Sequence, residues 1–292
     1  MSDRMTPKER LLTVMRGEIP DRIPVAPDFS NMIPARLTGL PFWDLYLYRQ
    51  IPIWDAYIDC AKHFGIDSVM DGYKPLVFPD ELDPNSPPWE CYIVEENQER
   101  IVVQNGWKEN GHLHWQPTVN VFYRADSPTH GVPPTKIGLP DTPSQYRLAE
   151  GIHEVDLGPE GFAETKRRLG DQGLIGAWLT STCVLSNPEQ VYDYIDHPEK
   201  YKRIAEERIE AVEKRFARIM TMDEKPDFLC VGGSGTLVMQ TVEIFRELAL
   251  PAVKRGIELT TAAGIPTHVH SCGPEKQLVK IMAEETNTSS IV

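Results

Sequence analysis

From about residue 160 the chain settles into a regular alternation of short apolar runs and longer amphipathic stretches. Helical periodicity predicts helices over Pro159–Leu169, Pro188–Ile195, Pro198–Met222, Val242–Ala263 and Pro274–Glu285. Between them, apolar runs predict strands at Leu174–Leu179, Asp227–Val231, Pro266–His270 and Ser289–Val292. Strands that alternate with longer helices indicate a parallel sheet covered by helices. Upstream, Thr6 caps a helix at 7–16 that has Pro7 at its first position and Gly17 at its end. Further strands are expected at Ile23–Ala26 and at Ile66–Met70, the latter ending on Asp71-Gly72. Residues 30–63 hold short helical pieces broken by prolines, with Phe42, Trp43, Tyr46, Tyr48 and Trp54 expected to pack as a lid on the core.

The stretch 73–145 differs, being rich in proline, with a hairpin whose polar turn falls at Glu96–Gln98. It is expected to be an insertion after the second strand, without enough apolar residues for a core of its own. The whole reads as an α/β chain, a TIM (β/α)8-type barrel of one domain over 1–292. With about six strands counted, the barrel is expected to be incomplete at its C-terminus, truncated before closure. No GxGxxG follows the first strand, which argues against a dinucleotide-binding sheet.

Composition narrows the function classes. A formal net charge of −13, from 43 acidic and 30 basic residues, repels a phosphate backbone and argues against nucleic acid as a partner. No run approaches the roughly 18 apolar residues that span a bilayer, and the charged MSDRMTPKER opening lacks a signal-peptide core, so a cytoplasmic protein without a membrane partner is expected. Five widely spaced cysteines do not read as a disulfide framework.

Candidate chemistry concentrates in THVHSCGPEK, residues 267–276. Alternate side chains of a strand share one face, so His268, His270 and Cys272 point the same way at a strand's C-terminal end. Imidazole and thiolate are ligands that zinc prefers, and His270 and Cys272 lead directly into a Gly-Pro turn. His268 is a possible further ligand or a packing residue. The plain alternative is a strand end with a buried cysteine and a hydrogen-bonded histidine. Asp71, Thr180, Ser181 and Ser234 follow other strands and are candidate substrate-binding residues, with ordinary turn roles as the alternative. No residue is singled out as catalytic.

The HSCG element, together with MTPKERLLTVMRGEIPDRIPV, the segment Phe228–Gly235 and the helix holding Glu243 and Pro251, resembles the uroporphyrinogen decarboxylase superfamily. The likeness is to its methylcobamide:coenzyme M, corrinoid-dependent methyltransferase branch. It spans nearly the whole chain and is weakest across 73–145. The resemblance implies zinc held by His270, Cys272 and a later cysteine, which would lie beyond Val292. It also implies transfer of a methyl group between a corrinoid (methylcobalamin) carried by a partner protein and a thiol or tetrahydrofolate acceptor, with zinc activating the thiol. The superfamily's decarboxylases carry an Arg-Gln-x-Gly-Arg element after the first strand. Here that region reads Pro27-Asp28-Phe29-Ser30-Asn31, with no arginine before Arg36, so porphyrinogen decarboxylation is disfavoured. Two alternatives stay open: a metal-free relative acting on another carboxylate, and a non-catalytic subunit that docks a corrinoid protein.

Overall fold

The computed structural model describes residues 4–273 and 276–291, with the side chains of Ser234 and Ile291 outside the described set. Two compact units divide the chain. One comprises Met1–Ala26, Ile66–Leu76 and Phe162–Val292, and the other Pro27–Gly65 and Val77–Gly161.

In the first unit, α1 (Pro7–Met15) opens on a capping box: Thr6 accepts from the Glu9 N–H, and Glu9 accepts from the Thr6 N–H. The second unit contributes α2 (Met32–Leu37), α3 (Phe42–Tyr46) and α4 (Ile53–Phe64), the last ended by left-handed Gly65. The chain then returns to the first unit as β1 (Ser68–Met70). The second unit resumes with β2 (Glu90–Glu96), β3 (Arg100–Glu109), β4 (His112–Tyr123), β5 (Thr129–Val132) and β6 (Arg147–Leu148). From α5 (Pro159–Leu169) onward the helix–strand alternation follows: β7 (Gly173–Thr180), α6 (Pro188–Asp196), α7 (Pro198–Thr221) and β8 (Phe228–Ser234). After it come α8 (Val242–Ile244), a π-helical turn at Phe245–Ala249, α9 (Leu250–Ala262), β9 (Thr267–Cys272), α10 (Lys276–Glu285) and β10 (Ser290–Ile291). The π turn sits where Pro251, lacking an N–H, cannot bond four residues back, which interrupts the single helix the periodicity predicts.

The expectation of an incomplete (β/α)8-type barrel is overturned: the strands form two separate sheets, one parallel and one antiparallel. Strands β1-β7-β8-β9-β10 form a parallel sheet in that order, with β1 at one edge and β10 at the other. A barrel needs its last strand to pair with its first. Among the described residues no such pairing joins β10 to β1. The second sheet is antiparallel, ordered β5-β4-β3-β2-β6, and separate from the first. The stretch expected to be a hairpin insertion without a core is therefore most of a five-stranded sheet. Its two faces bury different apolar sets. Ile93, Ile101, Val103 and Phe122 pack with Leu47 on one, and Val102, Val119 and Val121 pack together on the other. The expected hairpin turn is present, between β2 and β3. Ile23–Ala26 is not a strand; Val25 is tied instead to Asp67, through its carbonyl to the Asp67 N–H and through its N–H to the carboxylate. Of the expected final helix and strand, Pro274, Glu275 and Val292 lie outside the described residues.

Period-two alternation splits the parallel sheet into two faces. Leu174, Trp178, Phe228 and Cys230 share one face with His268, and Leu11, Leu12 and Met15 of α1 pack against its lower part. Leu179 and Val231 lie on the other, facing α7 and α9, where a Cβ on Gly256 would come 3.1 Å from Leu179 and 3.7 Å from Val231.

At the N-terminal ends of the strands sits a buried ion network. The Arg10 guanidinium, fully inaccessible, donates to Asp21 at 2.7 Å and to Asp67. Arg22 also donates to Asp67, at 2.7 Å. Asp21 further accepts the backbone N–H groups of Arg4 and Met5. The Arg10 hydrogen bond and those backbone bonds hold the Asp21 carboxyl well below the usual carboxylate range.

Candidate functional site

Strand β9 carries the candidate pair to the opposite end of the same sheet. Its alternation points Thr267 and Ser271 to the helix-covered side, where they bond Thr260 at 2.5 Å and Thr236 at 2.8 Å. His268, His270 and Cys272 take the other face. His270 Nε2 and Cys272 Sγ lie 3.4 Å apart. A tetrahedral zinc, with Zn–S near 2.3 Å and Zn–N about 2.0–2.1 Å, holds sulfur and nitrogen about 3.5 Å apart. The pair therefore has the spacing of two ligands of one zinc, and also that of a thiol hydrogen-bonded to an imidazole. Cys272 is exposed and His270 half-buried.

Asp71, at the end of β1, lies beneath them. Its Oδ2 is 3.5 Å from His268 Nε2 and 3.8 Å from His270 Nδ1, while its Oδ1 accepts from the Cys230 thiol at 2.8 Å. Burial pushes the Asp71 carboxyl upward, but hydrogen bonds from His268 and Cys230 and the two imidazole charges outweigh it, so the pKa falls below the ordinary value. Cys230 moves the other way: burial first, then the Asp71 charge, keeps its thiol protonated far above the usual range. His268 is also held from its far side, with Nδ1 2.8 Å from the Ser290 hydroxyl.

Two glycines allow this approach. Gly72 has φ 73°, and a Cβ there would fall 2.4 Å from the indole Nε1 of Trp178, whose ring meets His270 edge-on at 6.2 Å. Gly232 pairs with His270 across β8 and β9, and a Cβ there would fall 1.9 Å from the His270 carbonyl oxygen.

The remaining sequence-derived candidates divide. Thr180 ends β7 in register with Val231, and the Ser181 hydroxyl accepts from the Cys183 N–H at 3.0 Å, within its own loop. Ser234 lies opposite Cys272 in the β8–β9 ladder, and its side chain lies outside the described set. Sequence reasoning missed the layer behind this edge. Thr182, Thr236 and Ser271 form a buried hydroxyl chain, Gln240 ties the Thr182 carbonyl to the Val184 and Leu185 N–H groups, and Arg208 donates to the carbonyls of Ser181 and Cys183. Burial lowers the Arg208 pKa. The only advance signal was a cluster of hydroxyl and amide residues after strand ends, which ordinary loops share.

No family model and no curated protein matches the chain. Among the described residues no group of three or more His, Cys, Asp or Glu side chains is arranged to hold a metal ion. Nor is any helix among them long and apolar enough to cross a membrane. A cleft of about 270 Å³ between α9 and α10, lined by Lys254, Glu258 and Glu285 among others, includes none of the candidate residues.

Proposed function

We propose that this chain is a methyltransferase that moves a methyl group between a corrinoid carried by a partner protein and a thiol or tetrahydrofolate acceptor. The observation that carries the reading is the 3.4 Å approach of Cys272 Sγ to His270 Nε2 at an exposed strand end. That donor set fits two of the three protein ligands a catalytic zinc uses, and the third must come from outside the pair. Zinc bound there would supply charge that lowers the pKa of an incoming thiol, making it the thiolate nucleophile.

The chain's own residues do the rest. Asp71 stays ionised beside the two imidazoles, with Oδ2 facing His268 Nε2 and His270 Nδ1. Cys230, kept protonated, donates to that carboxylate rather than competing as a soft ligand. Trp178 closes one side of His270 with an apolar ring.

The test is methyl transfer from free methylcobalamin to a thiol, followed by the loss of the methyl-cobalt absorbance, with zinc per chain measured in parallel. H270A and C272A should each lose bound zinc and slow transfer by about 100-fold or more. Full turnover in zinc-stripped protein, or no effect of either substitution, would overturn the proposal.

A further inference from the structure

Asp71 stood as a substrate-binding candidate from its place after a strand, with turn formation as the alternative. Neither role explains where its oxygens point. The tight turn is provided by Gly72, whose positive φ needs no carboxylate. The Asp71 side chain is only 17% exposed, and both oxygens are directed inward. Oδ1 accepts the Cys230 thiol proton, and Oδ2 lies between His268 Nε2 and His270 Nδ1. Neutral imidazole carries one proton, and a carboxylate beside one ring nitrogen selects the tautomer with its proton there. For His270 that nitrogen is Nδ1, so the lone pair is left on Nε2, the atom that faces Cys272.

We propose that Asp71 is a positioning residue that holds His270 with its proton on Nδ1 and its bare Nε2 turned toward Cys272, and that Cys230 and His268 fix the carboxylate for this task. The inference rests on reading His270 and Cys272 as a donor pair. It extends that reading by naming the group that orients one donor. The arrangement is built across the sheet. Cys230 is the register neighbour of His268, and Ser290 on β10 steadies the His268 ring from the side away from Asp71. Carboxylates that orient a ligating imidazole in this way change metal affinity about 10–100-fold when removed.

The experiment uses the whole chain stripped of metal. Nitrogen–proton correlation spectra of the imidazoles, with His270 assigned through H270Q, should show His270 protonated at Nδ1 and unprotonated at Nε2. In D71N, which keeps the side-chain shape, the population should move toward the Nε2–H form. Binding of Co²⁺, used as a spectroscopic probe, should weaken about 10–100-fold while the thermal midpoint stays close to wild type. A wild-type His270 carrying its proton on Nε2 overturns the proposal, and that spectrum decides even if D71N does not fold. Unchanged tautomer and Co²⁺ affinity in folded D71N would overturn it too. Wild-type protein that binds no Co²⁺ would instead remove the metal reading, leaving the tautomer spectrum to judge Asp71.

Discussion

Asp67 shows how much one side chain holds at the far end of the parallel sheet from the candidate pair. It is fully buried, receives both Arg10 and Arg22, and accepts the Val25 N–H. Removing it leaves the inaccessible Arg10 guanidinium with one carboxylate fewer, and breaking a buried pair in this way costs about 3–5 kcal/mol. D67A should therefore lower the urea midpoint strongly, with no comparable loss for substitution of an exposed acid such as Glu199. Acid dependence follows from Asp21 and Asp71, both held below their ordinary values. A carboxylate depressed on folding stabilises the native state above its unfolded pKa of about 4, and that contribution is lost as pH falls through the folded value. Stability should drop as pH is taken below about 4, and the stability gap between wild type and D21N should shrink over the same range. Urea midpoints at a series of pH values check this; a gap that widens on acidification would contradict it. Arg10 and Asp21 lie in the stretch that carries the family likeness, but the pairing of Arg10 with Asp67 was not legible because it joins positions far apart in the chain.

At the level of elements, local rules were readable where one short-range signal dominates. The Thr6 cap with Pro7 behind it and the long amphipathic α7 follow from neighbours within a turn or two. So did the shared face of His268, His270 and Cys272, which needs only the two-residue strand repeat. The antiparallel sheet was under-read because β4, HLHWQPTVNVFY, mixes polar residues and a proline into a strand whose apolar partners come from β3 and β5. Register between strands also decides the effect of Gly232. G232A must push β8 away from β9 at His270 or twist the ladder, because its methyl group would overlap the His270 carbonyl. A loss of about 1–3 kcal/mol or more in stability is expected, with weakened binding of metal probes at the adjacent pair. Unaltered thermal stability in G232A would show that the ladder is looser there than described.

For the whole molecule, the alternation of helices and strands gave the parallel sheet, but the incomplete barrel expected from it is an open five-stranded sheet, accompanied by a separate antiparallel one. Alternation is a property of each segment, whereas closure depends on whether the first and last strands meet, which no local pattern encodes. The same limit applies to the division into units, since each is assembled from stretches separated in sequence.

That discontinuous build has a consequence for the order of synthesis. All segments of the Pro27–Gly65 and Val77–Gly161 unit have been translated once Gly161 is made, so this unit can gather its β-sheet while the ribosome is still working. Strand β1 must wait for β7 before it has a strand to pair with, and the apolar residues of α1 wait longer still for Phe228 and Cys230. The apolar residues of α1 are thus translated long before the strands that shelter them from water, and a chaperone that grips nascent polypeptides would meet them exposed.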